Sequence, residues 1–174
     1  KAQGREGKID TQLMAIVAEG VRQRIFLPPV SEHEQIAQAV RSEKGLLDSD
    51  LAANSQYSAP PLYGMTRHRD LFTDRQLVAL DVLCALIREA KEKVLSDGGN
   101  QDYSDAVATY LAFSLDKCSD YWNTITTWMP RGTVGHALNK QAIPMTWDYP
   151  EANPLVDFHC AWHEAYNWVS KVLD

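Results

Sequence analysis

The chain has 174 residues and a net charge of −6, and 45% of its residues are hydrophobic and 23% charged. This composition is that of a folded globular domain and excludes an intrinsically disordered tail. No apolar run approaches the ~20 residues that span a bilayer, and the start, "KAQGREGKID", lacks the apolar core of a signal peptide, so we expect a soluble, cytoplasmic protein without a membrane partner.

Residues 1–30 are predicted to form a β-hairpin. Two β-rich runs, "LMAIVAEG" and "VRQRIFLPP", meet at Glu19 and Gly20, and a proline pair ends the second run. Residues 31–62 are predicted to form a short helix and a loop. Ser31 and Glu34 have the spacing of a capping box, and the helix is expected to end near Gly45. From residue 46 to 61 the sequence is rich in turn formers and has no period, which indicates a surface loop.

Residues 63–174 are predicted to be a helical core built on an αα-hairpin. Thr73 and Gln76 form a second capping-box pattern, so a long helix is expected over residues 74–97, before two glycines. A second helix is expected over 103–127. Its predicted inward residues are Ala106, Val107, Tyr110, Leu111, Phe113, Ser114, Cys118, Tyr121 and Ile125.

A short helical piece through Ala137 and Leu138 and a last helix from about Asp157 complete the predicted elements. The fold class is therefore mainly α (α+β), with residues 1–174 as one domain. The chain lacks an initial Met and stops within the helical pattern "WVSKVLD", so we expect it to be a piece of a longer protein.

No catalytic, cofactor or metal site is predicted from the residue types. The three cysteines are odd in number and widely spaced, which indicates buried thiols rather than disulfides. No glycine-rich turn stands between a strand and a helix, as a nucleotide or methyl-donor site requires. His159 and His163 have the spacing of a metal-binding helix, but Cys160 lies where a zinc protease has its general-base Glu.

Nucleic-acid contact is the one binding function that individual residues suggest. The candidates lie in loops and at helix starts, where phosphate contacts are easily made: Arg67, Arg69, Arg75, Arg131 and Lys140. Asp70 and Asp74 are expected to compete for these cations. Residues 142–174 hold one Lys/Arg against five Asp/Glu, and the acidic chain argues against autonomous DNA binding. A solvated helix shoulder is the alternative interpretation of the arginines.

Four stretches carry a resemblance to a known family: "LMAIVAEGVRQRIFLPP", "PPLYGMTRHRDLFTDRQLVAL", "AVATYLAFSLDKCSDYWNTITTW" and "QAIPMTWDYPEANPLVD". In this order and spacing they resemble the internal helical region of large bacterial and archaeal adenine-specific DNA methylases. In that family a glycine-bearing methyl-donor motif precedes this region and a Pro-Pro-Tyr catalytic motif follows it. No position here matches either motif, since Leu155 follows Asn153 and Pro154 where the motif has a second Pro.

The resemblance implies a non-catalytic segment of an N6-adenine DNA methyltransferase that faces DNA or recognises the target. DNA would be bound through the parent enzyme, S-adenosylmethionine would be the parent's cofactor, and the rest of the methyltransferase chain would be the partner. Two alternatives remain open: a structural scaffold on the catalytic domain, and a protein-interaction module. The module would bind a partner through exposed tryptophans. The chain has five candidates: Trp122, Trp128, Trp147, Trp162 and Trp168.

Overall fold

The computed structural model describes residues 1–43, 47–52, 56–139 and 141–173 of the chain. It is mainly helical with a small N-terminal β-hairpin, which confirms the predicted fold class. The elements in chain order are α1 (Ala2–Arg5), β1 (Ile16–Glu19), β2 (Arg24–Leu27), α2 (Ser31–Ala39), two 3-10 turns (Pro60–Tyr63 and His68–Leu71), α3 (Asp74–Ser96), α4 (Gln101–Ser119), β3 (Trp128–Met129), β4 (Thr133–Val134) and α5 (Trp162–Ser170). None of the described helices combines the length and apolar character needed to cross a membrane.

The β1–β2 hairpin forms as predicted, but its turn lies further along the chain. Glu19 pairs with Arg24, so the turn runs from Gly20 to Gln23 rather than through Glu19 and Gly20. The N–H of Gly20 donates to the Gln23 carbonyl at 3.0 Å. A Cβ at Gly20 would lie 2.4 Å from that oxygen, so the turn requires glycine.

Arg24 attaches the hairpin to the rest of the fold. Its guanidinium lies 4.6 Å from the ring centroid of Phe158 and 5.6 Å from that of Trp128. Phe26 also meets Trp128 edge-on. These contacts matter because an isolated two-stranded hairpin is only marginally stable.

The start of α2 corrects the predicted capping box. The helix begins at Ser31, so Val30 is the N-cap, and the Ser31–Glu34 box does not form. The N–H of Val30 donates instead to Nδ1 of His33 at 3.3 Å.

The end of α2 comes earlier than the expected stop near Gly45, which itself lies outside the described residues. The helix ends at Ala39 because Val40 adopts extended backbone angles. Arg41 Nη1 donates to the Val40 carbonyl at 2.7 Å. The carbonyl groups at the end of a helix have no partner within the helix, and this side chain supplies one.

The segment predicted as a surface loop contributes to the core. Leu51, Ser58 and Pro60 are buried, and Leu51 packs in a cluster with Leu71, Ile125 and Ala137. The described residues up to Ala59 are irregular as predicted. The surface location was wrong for the buried residues, because burial in a segment without regular structure leaves no period in the sequence.

The αα-hairpin of α3 and α4 is confirmed, and so is the capping box that begins α3. Gln76 N–H donates to Thr73 Oγ1 at 3.2 Å, and Thr73 N–H donates to Gln76 Oε1 at 2.8 Å. Asn100 caps α4 by accepting the Tyr103 N–H at 2.8 Å, so α4 starts slightly before the expected residue.

The end of α4 is corrected from residue 127 to Ser119. Backbone groups that would continue the helix have other partners here. The Ile125 N–H donates to Asn123 Oδ1, and the N–H and hydroxyl of Thr124 both donate to the Leu71 carbonyl. Short polar side chains of this kind compete with helical hydrogen bonds. Three predicted inward residues of α4, Ala106, Tyr110 and Phe113, are exposed.

Two further elements differ from prediction. The expected helical piece at Ala137 and Leu138 is a bend whose N–H groups donate to Asp120, and the β3–β4 hairpin just before it was not anticipated. The last helix begins at Trp162 rather than near Asp157. The core between these elements has two clusters that share Phe72.

Candidate functional site

The predicted arginine cluster lies where two loop segments meet before α3. Residues 47–51 run antiparallel to residues 66–69, which brings Asp48 beside Arg67 and Arg69. Three backbone hydrogen bonds fix this pairing: Leu51 N–H to Thr66 O at 2.7 Å, His68 N–H to Ser49 O at 3.0 Å, and Arg69 N–H to Leu47 O at 2.9 Å.

Asp48 is the acidic partner of both arginines, at 3.6 Å from Arg67 Nη1 and 3.1 Å from Arg69 Nη1. Asp70 and Asp74 were expected to compete for these cations, but neither forms a direct ion pair with Arg67 or Arg69 among the described residues. Asp70 Oδ2 accepts two backbone N–H groups at the start of the second 3-10 turn, at 2.8 and 2.9 Å. Its carboxylate therefore holds the turn.

Asp74 is linked to Arg69 through a serine. Arg69 Nη2 donates to Ser42 Oγ at 3.0 Å, and the hydroxyl and N–H of Ser42 both donate to Asp74 Oδ1. The Ser42 hydroxyl, and less strongly the charges of Arg41 and Arg69, lower the pKa of Asp74.

Arg75 forms the best-defined ion pair of the cluster. Its Nε and Nη2 donate to the two carboxylate oxygens of Glu151, each at 2.6 Å, and Nη1 donates to the Ala37 carbonyl. The bond to Glu151 raises the pKa of the Arg75 guanidinium. One side chain thus joins the start of α3 to α2 and to the segment before α5.

An open groove of about 540 Å³ lies beside these residues, and Arg75 is not part of it. Among the described residues that line it, the charged groups are equal in number and opposite in sign. The groove is lined by Arg41, Ser42, Asp48, Thr66, Arg67, Arg69, Asp70 and Asp74. A phosphate in this groove would meet as many carboxylates as guanidinium groups.

The other two predicted nucleic-acid contacts do not extend the cluster. Arg131 lies in the β3–β4 turn, where its Nε donates to Thr133 Oγ1 at 2.9 Å. Lys140 lies outside the described residues. The structure therefore brings Arg67 and Arg69 together around Asp48, whereas Arg75 has its own partners, Glu151 and Ala37.

The acidic partners Asp48 and Glu151 were missed in the sequence. Asp48 is 21 residues from Arg69, and Glu151 is 76 residues from Arg75. Local spacing rules reach only a few residues along a helix or between paired strands, so no pattern marked either carboxylate.

A second polar group, also missed, joins Asp120, His136 and Tyr121. Asp120 Oδ2 lies 2.6 Å from His136 Nδ1, and His136 Nε2 lies 3.1 Å from the Tyr121 hydroxyl. The order carboxylate, imidazole, hydroxyl resembles a catalytic relay. Burial raises the pKa of Tyr121 and leaves only 5% of the residue exposed. The Tyr121 phenol therefore shares a hydrogen bond with His136 inside the fold.

The two histidines with metal-binding spacing have different partners. His159 Nε2 lies 3.0 Å from the Val134 carbonyl, whereas His163 Nε2 lies 3.3 Å from Asp157 and 3.5 Å from Glu164. In the described part of the chain, Asp157, His163 and Glu164 form the one group whose potential ligand atoms all lie within 4.8 Å. The side chain of Asp157 is 98% exposed, so this group has the character of a surface ion pair.

All three cysteines are free thiols, and Cys118 and Cys160 are buried as predicted, whereas Cys84 is only partly buried. Cys118 and Cys160 pack in the same core cluster. Burial raises the pKa of Cys118 to about 12 and that of Cys160 to about 11, so neither is a nucleophile near neutral pH.

The chain matches no protein-family model, no curated protein and no solved structure.

Proposed function

We propose that the chain is a non-catalytic helical segment of an adenine-specific DNA methyltransferase and that its role there is structural. The proposal rests on the resemblance of residues 13–157 to that family and on the charge pattern of the arginine cluster. DNA and S-adenosylmethionine are bound by the rest of the enzyme, and this segment packs on the catalytic domain.

The observation that carries the structural role is the internal pairing of the cluster. Arg75 is held by both oxygens of Glu151, and Arg69 is shared between Asp48 and Ser42. A surface that binds DNA needs cations that can replace counterions at phosphates. Here carboxylates of the same chain already occupy that place.

The exposed area also favours a segment that packs on a larger body. The chain exposes 11790 Å², whereas a compact monomer of 19.6 kDa exposes about 8,600 Å². Large apolar side chains contribute, among them Phe26, Leu155 and Trp168, which are 59–87% exposed. Trp147 and Trp168 are exposed, as the interaction-module alternative requires. Trp122 is 1% exposed and therefore cannot anchor a partner.

Direct phosphate contact is the second candidate, and Arg67 favours it. Its side chain is 53% exposed, and its ion pair with Asp48 is long at 3.6 Å. An exposed pair of this length contributes little free energy and is easily exchanged. Arg67 could therefore turn to a phosphate without unfolding the cluster.

Titration of the chain with a fluorescent DNA duplex at about 50 mM salt separates the two roles. The structural role predicts no binding beyond the weak non-specific range, and no difference between the wild type and Arg67→Ala. Micromolar binding that weakens steeply with salt and is lost in Arg67→Ala would support phosphate contact instead. Lys8→Ala, an exposed cation far along the chain from the cluster, is the matched control.

Two further experiments test the parent chemistry. Calorimetric titration with S-adenosylmethionine should give no heat, because the chain has no glycine turn that admits the donor. The coding sequence on either side should contain a glycine-bearing donor motif before Lys1 and Asp/Asn-Pro-Pro-Tyr after Asp174. Flanks without either motif would overturn the proposal.

A further inference from the structure

An exposed apolar stripe runs along the outer face of α4. It consists of Tyr103, Ala106, Tyr110 and Phe113, and we call it the α4 stripe. Its three aromatic residues are 61%, 36% and 53% exposed. Tyr110 and Phe113 meet edge-on, with ring centroids 6.2 Å apart.

The neighbouring helices leave α4 uncovered between Tyr103 and Phe113. On the α3 side, Ser104 Oγ donates to the Lys91 carbonyl at 2.7 Å. On the α5 side, Lys117 Nζ lies 5.2 Å from the ring centroid of Trp168. Ser104 lies about 100° around the helix from Tyr103. Lys117, seven residues after Tyr110, lies in line with the α4 stripe, so α5 covers only the end beyond Phe113.

The spacing of the α4 stripe fits one kind of partner. Its members are separated by three, four and three residues, which is the a/d spacing of a helix that packs along another helix. A bound β-strand would present contacts with a period of two and would not match. The partner element is therefore an α-helix.

The charge beside the α4 stripe specifies that helix further. Asp102 and Asp116 lie fourteen residues (two heptads) apart on the same edge, each one position before an a position (Tyr103 and Lys117). Neither carboxylate forms an ion pair with a described residue. A partner helix with Lys or Arg along this edge would give them counter-charges.

A second copy of this chain fits less well. In an antiparallel pair of α4 helices, Asp102 of one copy would face Asp116 of the other, which places like charges together. A parallel pair would need the opposite edge, at Val107 and Ser114, but Ser114 is buried and Val107 is partly buried within its own fold.

We propose that the α4 stripe binds a basic amphipathic α-helix of a partner protein, with apolar residues on the stripe and Lys or Arg facing Asp102 and Asp116. This docking does not depend on the methyltransferase proposal.

The test uses two synthetic helical peptides of about three heptads with leucine at a and d. One carries Lys on the flanking edges and the other carries Glu. Fluorescence anisotropy should show the Lys peptide binding the wild-type chain about tenfold more tightly than the Glu peptide. The double variant Asp102→Lys/Asp116→Lys should reverse this preference, and Tyr110→Ser/Phe113→Ser should lose both peptides.

Matched controls keep each outcome decisive. Glu32→Lys/Glu43→Lys makes the same change in net charge at exposed residues outside α4 and should leave the preference unchanged. No binding of either peptide, or equal binding that the Asp102/Asp116 variant does not alter, overturns the proposal. So does a dimer in sedimentation that Tyr110→Ser/Phe113→Ser dissociates, because the occupant is then a second copy. If that variant fails to fold by circular dichroism, the reversal by the Asp102/Asp116 variant decides.

Discussion

The arginine cluster and the outer face of α4 differ from what their residue types suggest: the charged residues are largely covered and paired, and the apolar residues are exposed. Charged Arg69 and Arg75 are only 20% and 37% exposed in their side chains and have carboxylate partners within the fold. Apolar Tyr110 and Phe113, assigned to the core by their spacing, lie at the surface. Residue type alone therefore predicted neither that the arginines are paired within the fold nor that the aromatic residues of α4 are exposed.

The difference between the two regions comes from long-range packing. Arg75 finds Glu151 only because the segment before α5 folds back over the start of α3. α4 has apolar residues over more of its circumference than α3 and α5 can cover, and the chain offers no further helix to cover the α4 stripe within the described residues. One region is completed within the chain, and the other is left for a partner.

The largest expected difference in unfolding free energy is between substitutions on the covered face and on the uncovered face of the αα-hairpin. Leu80→Ala should lower the free energy of unfolding by about 2–4 kcal/mol, because Leu80 is 6% exposed in the main core cluster. Phe113→Ala should cost less than about 1 kcal/mol, since its ring is already half in water. Urea unfolding measures both. Equal losses of unfolding free energy in the two variants would mean that Phe113 is covered in solution. The contrast between a covered and an uncovered face would then be wrong.

A smaller effect is expected from the ion pair that completes the cluster. Glu151→Ala should destabilise the chain by about 1–2 kcal/mol, because it leaves the partly buried Arg75 guanidinium without its two charged hydrogen bonds. Glu151→Gln keeps the shape and one acceptor and should cost about half as much. A loss below ~0.3 kcal/mol in Glu151→Ala would show that Arg75 is free in solution, as a DNA-binding role requires.

The sequence predicted those elements whose determinants are local. The Thr73–Gln76 box and the apolar period predicted the start and the length of α3 closely, because both signals lie within one helix. The end of α4 was predicted too late, because Asn123 and Thr124 hydrogen-bond to groups that only the folded chain supplies. The arginines were found as candidates, but Asp48 and Glu151 lie too far along the chain to be paired with them by spacing.

Within the cluster, Arg67 should contribute less than Arg75. Arg67→Ala should change the free energy of unfolding by less than about 0.5 kcal/mol, because its pair with Asp48 is exposed and long. Arg75→Ala should cost about 1–2 kcal/mol, as Glu151→Ala does. The double variant Arg75→Ala/Glu151→Ala should then be less destabilised than the sum of the single variants. Strict additivity in this cycle would indicate that the two side chains do not interact.

The smallest expected effect is a change in acid stability at Asp74. Its pKa lies below 3.8 in the folded chain, mainly because the Ser42 hydroxyl donates to it. A depressed carboxyl pKa stabilises the folded state above the unfolded pKa, and this contribution is lost as pH falls through the folded value. Ser42→Ala should therefore be less stable than wild type at pH 5 and above, and the gap should narrow as the pH falls below about 4. Urea unfolding across this range measures the gap, and Ser96→Ala, whose hydroxyl donates to a backbone carbonyl, is the control. Parallel curves for Ser42→Ala and wild type would mean that Ser42 does not set the ionisation of Asp74.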